Sequence, residues 1–288
     1  MTKVKGMKVR GMKVRGMKVR GIKVPRSTQM LDILRLFLAE FKRAWIQFKR
    51  YPAESIGGVF IITSVFYGLF LSAQYIAGPI QFGDKLDSVI VGYLLWSLSI
   101  FVITDIAGTL QSEAQTGTLE QLFLTSFGAR TLFLVRAIAD LAIQLILLGV
   151  ILSIIMVLTG RYLSFPITLI LPLATVLMGA YGLGFVMGGI SLLFKRIQQV
   201  LAIFQFALLF LLTAPTEEWT GVGHVVGYFL PMSPGAGLLR NLMARDTGLD
   251  GTALTIALLN GGVYLTIGLL LFGWAERETK RRGKLGGY

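Results

Sequence analysis

The chain has 288 residues, 54% of them hydrophobic and only 15% charged, with a mean hydropathy of +0.70. A soluble domain is about 25% charged, and apolar runs long enough to span a bilayer recur along this sequence, so a soluble enzyme or binding module is excluded and an all-α integral membrane protein is predicted. With no cysteine there is no disulfide framework, thiolate metal site or cysteine nucleophile, and with one histidine, His224, there is no multi-histidine centre.

The net charge of +13 belongs largely to one segment. Residues 1–26 hold ten basic residues and no acidic one, and without them the charge falls to +3, which gives no ground for a nucleic-acid partner. This segment repeats the unit Met-Lys-Val-Arg-Gly from Met7, Met12 and Met17. A five-residue period matches neither a helix nor a solenoid, and the composition predicts a disordered basic tail. Such a tail is either an arm on anionic headgroups or a translated tandem repeat without a role, upstream of a start at Met30. No apolar stretch of the kind that completes a secretory signal follows it.

An amphipathic interfacial helix is predicted within 27–53. At about 100° per residue, Ile33, Leu34, Phe37, Leu38, Phe41, Ala44, Trp45 and Phe48 share one arc. Asp32, Arg35, Lys42, Arg43, Gln47, Lys49 and Arg50 fall on the other. It is too charged to span and is expected to lie in the interface plane, with Phe37, Phe41, Trp45 and Phe48 in the acyl boundary. Tyr51-Pro52 ends it.

Six spans are expected over residues 54–275: about 55–77, 88–110, 137–159, 166–194, 197–214 and 252–274, the fifth being short. Placing the N-terminus inside puts 24 of the 28 basic residues in inner segments and four outside, so both termini, including the basic tail 276–288, are expected to be cytoplasmic. Two connections are long. The cytoplasmic loop 111–136 carries Thr116-Gly117-Thr118, a helix-start signal in which Thr118 caps a short apolar face of Leu119, Leu122 and Phe123. A short exposed helix of this kind suits docking into a groove of a cytoplasmic partner; an ordinary interfacial loop helix is the alternative. The external connection 215–251 turns at Pro231-Met232-Ser233-Pro234-Gly235. Leu238, Leu239, Leu242 and Met243 then recur at helical spacing with Arg240 and Arg245 on other faces, which predicts a helix in or near the outer leaflet.

Few residues in the spans carry chemistry. Asp105 and Asp140 are the intramembrane carboxylates, functional candidates by their cost alone, and an intramembrane ion pair with the nearby Arg130 and Arg136 is the expected use. Gly184 and Gly188 form a small-x-x-x-small pattern fit for close packing within the subunit. Ser64, Tyr67, Ser97, Thr104, Gln144 and Gln205 are candidates for lining a path. His224 beside Glu217 and Glu218 is a weak metal-site pattern and is expected to be an ordinary surface histidine.

Glu113 followed by Gly117-Thr118-Leu119-Glu120-Gln121-Leu122, just after the second span, resembles the permeases of the ABC-2 family, the membrane subunits of a class of ABC exporters. The interfacial helix, the six-span layout and the external helical region after Pro-x-Ser-Pro resemble the same family over about residues 30–275. Ser126-Phe127 stands where that family often has a proline. The resemblance implies that Glu113, Gly117, Thr118, Leu119, Glu120 and Leu122 couple the chain to an ABC ATPase subunit, with Glu113 and Glu120 paired to basic residues on that partner or on the interfacial helix. It also implies a second permease subunit as partner and a prokaryotic plasma membrane as location. The chain has no G-x-x-x-x-G-K-[ST] with which to hold nucleotide phosphates. It is therefore expected to bind no cofactor and to be no enzyme, with ATP and magnesium on the separate ATPase subunit. The rivals are a stand-alone secondary transporter or channel and, third, a membrane-embedded lipid-modifying enzyme.

Overall fold

The computed structural model describes residues 26–77, 83–115, 129–160, 162–194 and 197–281. Among them the chain forms helices and turns: α1 (Arg26–Arg50), α2 (Pro52–Ala77), α3 (Gly83–Gln115), α4 (Ala129–Thr159), α5 (Ile170–Leu193), α6 (Gln198–Thr213), α7 (Val222–Phe229), α8 (Ser233–Ala244) and α9 (Gly251–Arg281), with short 3-10 turns at Ile167–Leu169 and Thr216–Glu218. Five helices, α2, α3, α4, α5 with its leading turn, and α9, are long and apolar enough to cross a membrane. Their outward faces remain apolar, with Phe60, Ile61, Val157, Leu259 and Leu270 exposed, as expected where the surrounding solvent is lipid. α6 has 16 residues, about 24 Å of helix, which falls short of a hydrocarbon core about 30 Å thick.

α3 is the centre of the bundle. It is apolar around its whole circumference, the pattern of a helix enclosed on all sides, and Ile90, Leu98, Ile103, Ile106, Ala107 and Leu110 are fully buried. It packs on α4, α5, α6 and α8. The most extensive pairing is α5 with α9, and glycine makes it. A Cβ on Gly182 would fall inside 3.0 Å of the Tyr264 backbone, and one on Gly268 inside 3.0 Å of the Gly182 backbone. Gly184 and Gly188 instead face Ile106 and Leu110 of α3. The small-residue pattern of this span thus serves packing within the chain, on two sides of one helix.

α7 and α8 form a hairpin inserted into the bundle. Its turn residue Met232 sits against Gly179 of α5 and Ser99 of α3. Gly179 is nine residues into α5, so the turn penetrates about 14 Å. Irregular backbone at such depth needs partners inside the protein, and α9 supplies them. Asn260 Oδ1 accepts from the Met232 N–H at 3.2 Å, and Asn260 Nδ2 donates to the carbonyls of Tyr228 at 2.9 Å and Leu230 at 3.1 Å. The Tyr264 hydroxyl donates to the Phe229 carbonyl at 2.7 Å. The expectation of a helix lying in or near the outer leaflet is corrected in this respect: Leu238, Leu239, Leu242 and Met243 are buried among α3, α5 and α9.

Candidate functional site

At the end of the bundle that carries α1, five charged side chains from three helices close into a chain of ion pairs. Arg43 of α1 donates through Nη2 to both carboxylate oxygens of Asp140 on α4, at 3.1 and 2.7 Å, and through Nε to Glu40 at 2.7 Å. Its Nη1 donates to Gln47 at 3.1 Å. Arg136 of α4 donates to the same Glu40 oxygen and to Glu113 at the end of α3, each at 3.1 Å. Burial works against the charge of Arg43, but the attraction of Asp140 and Glu40 outweighs it, and the guanidinium is held above the ordinary arginine value. A network of this kind costs desolvation and repays it only while every member is present, so α1, α3 and α4 are held as a unit at this end.

The geometry corrects two expectations. Arg43 was placed by periodicity on the solvent arc of α1, yet it turns towards α4, because an arginine stem is long enough to carry its head round the helix to a carboxylate. Asp140 pairs with Arg43 and not with Arg136. Asp105 joins no ion pair and makes no side-chain hydrogen bond among the described residues, although Asp140, Arg43 and Arg136 all lie close enough to act on it electrostatically. The expected Asp105/Asp140 ion-pair site is therefore half formed. Of the interfacial aromatics, Trp45 is exposed while Phe37, Phe41 and Phe48 are half-buried. Phe37 stacks on Phe41 and Trp45 on Phe48. Glu113 is joined to the interfacial helix through Arg136, which contacts both Glu113 and Glu40. Gly117, Thr118, Leu119, Glu120 and Leu122 lie outside the described residues.

Between α1, α2, α3 and α4 the network borders a cavity of about 470 Å³, within the range of pockets that enclose a small molecule. Arg43, Asp105, Asp140 and Gln144 form its polar end. Ile62, Ile100, Phe101, Ile143, Leu147 and Ile151 form its apolar shaft. Of the six polar candidates from the spans, Ser97 and Gln144 are on its wall. Thr104 bonds back to the Ile100 carbonyl of its own helix, and the Gln205 carbonyl accepts from Trp96.

The opposite end carries a second charged cluster. Arg240 of α8 is fully buried and donates to both Glu217 oxygens at 2.9 and 2.6 Å and to the Leu212 carbonyl of α6 at 2.7 Å. Arg245 pairs with Glu217 at 3.3 Å and with Glu218, and the Thr216 and Ser233 hydroxyls bond to each other. Burial alone would raise the Glu217 carboxyl, but the hydrogen bonds and charge of Arg240, helped by Arg245, hold it below the ordinary glutamate range. Arg240, assigned by spacing to a face away from the leucines, is thus the most enclosed large side chain of its helix. His224 packs against Tyr228 with 3.1 Å between its Nε2 and the phenol oxygen, and its acidic neighbours are turned to Arg240 and Arg245. Sequence reasoning missed Glu40, Asn260 and Tyr264 as well. The legible signal was an uncompensated Asn260 inside an apolar span, where an amide is costly unless bonded.

Neither protein-family models nor curated protein sequences match this chain.

Proposed function

We propose that the chain is the membrane-spanning permease subunit of an ATP-driven ABC exporter, which moves an amphiphilic substrate of the drug, lipid or glycan class. In this reading α6 is the fifth of six spans, both termini are cytoplasmic, and the chain sits in a prokaryotic plasma membrane beside a second permease subunit. ATP is hydrolysed on separate ATPase subunits docked at the 111–136 loop.

The observation that carries the reading is the clamp on that loop. Glu113 lies in the last turn of the helix entering it, Arg136 lies two turns into the helix leaving it, and their pair is tied through Glu40 and Arg43 of α1 to Asp140 on the cavity wall. A displacement imposed on the loop is then passed to three helices that enclose the cavity, since ion-paired and close-packed elements move together. A stand-alone transporter driven by an ion gradient is the second reading, and the unpaired Asp105 is the observation that favours it.

The test is recovery of the tagged chain from native membranes in mild detergent, with mass spectrometry of its companions. A stoichiometric ABC ATPase is expected, retained by wild type and lost on Glu120→Lys in the loop. Glu113→Lys, which also opposes Arg136, is expected to lose it together with part of the chain's thermal stability. Recovery of the chain without an ATPase, alongside gradient-driven transport by the purified protein, would sink the permease reading in favour of the second.

A further inference from the structure

The cavity between α1, α2, α3 and α4 has a polarity that selects a ligand. Its one basic wall residue, Arg43, has its guanidinium committed to Glu40, Gln47 and Asp140. The remaining charges on the wall are all acidic: Asp140, which Arg43 satisfies, Asp105, which has no ion pair or side-chain hydrogen bond among the described residues, and the exposed Glu54. An anionic headgroup would therefore meet repulsion without a free cation to receive it. A second polar group waits deeper. Ser97 is 4% exposed, lies on the cavity wall, and its buried hydroxyl has no hydrogen-bond partner, which is uncommon in folded proteins and calls for an explanation. Ser97 and Asp105 are eight residues apart on α3, about 12 Å. Ile100 and Phe101 lie between them, and Ile143 and Leu147 line the same shaft from α4.

We propose that this cavity binds an amphiphilic cation, its positive group at Asp105 and its apolar body extending along the shaft towards Ser97. An ammonium or phosphonium would neutralise the wall carboxylate beside Asp140 that has no ion pair among the described residues, and a hydroxyl or carbonyl about 12 Å away would meet Ser97. The apolar body gains by leaving water, and the low polarity of the shaft strengthens the attraction at Asp105. The proposal rests on the permease reading only in making this ligand the transported substrate.

The experiment measures binding of labelled tetraphenylphosphonium to the purified full chain in lipid nanodiscs, without any ATPase. Labelled tetraphenylborate, of the same shape and opposite charge, is measured in a separate sample, because the two ions pair with each other in solution. Saturable binding of the cation and none of the borate is expected. Asp105→Asn, which removes the charge at constant volume, is expected to weaken it at least tenfold, and Asp105→Glu to retain it. Leu147→Trp, which fills the shaft and leaves every charge in place, is expected to abolish it. Equal binding by wild type and Asp105→Asn, saturable binding of tetraphenylborate as tight as that of the cation, or full binding by Leu147→Trp would each overturn the proposal. Should Asp105→Asn fail to fold, Leu147→Trp and the borate measurement decide alone. An ATPase recovered with the chain, together with absent cation binding, would leave the permease reading standing and remove this one.

Discussion

Replacing Gly182 by alanine should separate the two helices that pack most closely in this protein. The added Cβ would fall inside 3.0 Å of the Tyr264 carbonyl carbon and oxygen and of the Leu265 nitrogen. All three are backbone atoms, so no rotamer change relieves the clash, and α5 and α9 must part by something near 1 Å. Overpacking of this kind costs about 1–3 kcal/mol. A gap of that size also forfeits about a quarter to a half of each dispersion contact along the pair. The higher helix propensity of alanine returns at most about 1 kcal/mol, leaving a net loss of about 1–2 kcal/mol. Two further glycines grade the argument. At Gly188 the new methyl meets the end of the Leu110 side chain at 2.8 Å, which can rotate aside, so Gly188→Ala should be close to neutral. At Gly57 nothing lies within 4 Å, so Gly57→Ala should be neutral or slightly stabilising. Thermal unfolding in one detergent, followed by tryptophan fluorescence, should place Gly182→Ala about 2–5 °C below Gly57→Ala. Coincident midpoints for the two would refute the claim that backbone contact between α5 and α9 requires glycine.

The far-end cluster yields a double-mutant prediction. Arg240→Met leaves Glu217 half-buried without its bidentate partner and should cost about 3–5 kcal/mol, and Glu217→Leu in the same chain should recover most of it. Equal stabilities of the single and double variants would deny the coupling. The same carboxylate sets a pH dependence. Its folded value lies below its unfolded one of about 4.3, so the folded chain binds fewer protons there. The contribution is complete at neutral pH and is lost as the pH falls below about 4, through the folded value. In a melting series against pH, that decline should be smaller in the Arg240→Met/Glu217→Leu chain. Asn260→Leu strands the Met232 N–H and takes a donor from the carbonyls of Tyr228 and Leu230. At about 1–3 kcal/mol for each buried group left unbonded, the α7–α8 hairpin should loosen before the rest of the bundle, seen as accelerated amide exchange confined to residues 222–244.

The membrane class and the long helices were legible from composition and run length alone, because lipid imposes a local rule: each helix must be apolar over a sufficient length whatever its neighbours do. The amphipathic arc of α1, the short sixth apolar helix and the packing role of the span-4 glycines were readable for the same reason, as properties of single helices. Pairing between helices was not. Arg43 looked like a solvent residue until α4 placed Asp140 beside it, and Arg240 looked like the polar edge of an apolar helix until α6 and the 216–218 turn closed over it. Asp105 and Asp140 were indistinguishable in sequence, each a lone carboxylate near the same end of a span. Only the three-dimensional arrangement decides that one is neutralised by a guanidinium and that the other faces the cavity without an ion pair among the described residues. Side-chain reach of several ångströms, and partners separated by 23 to 97 residues in the chain, put those choices beyond any periodicity, and it is there that the polarity of the cavity is set.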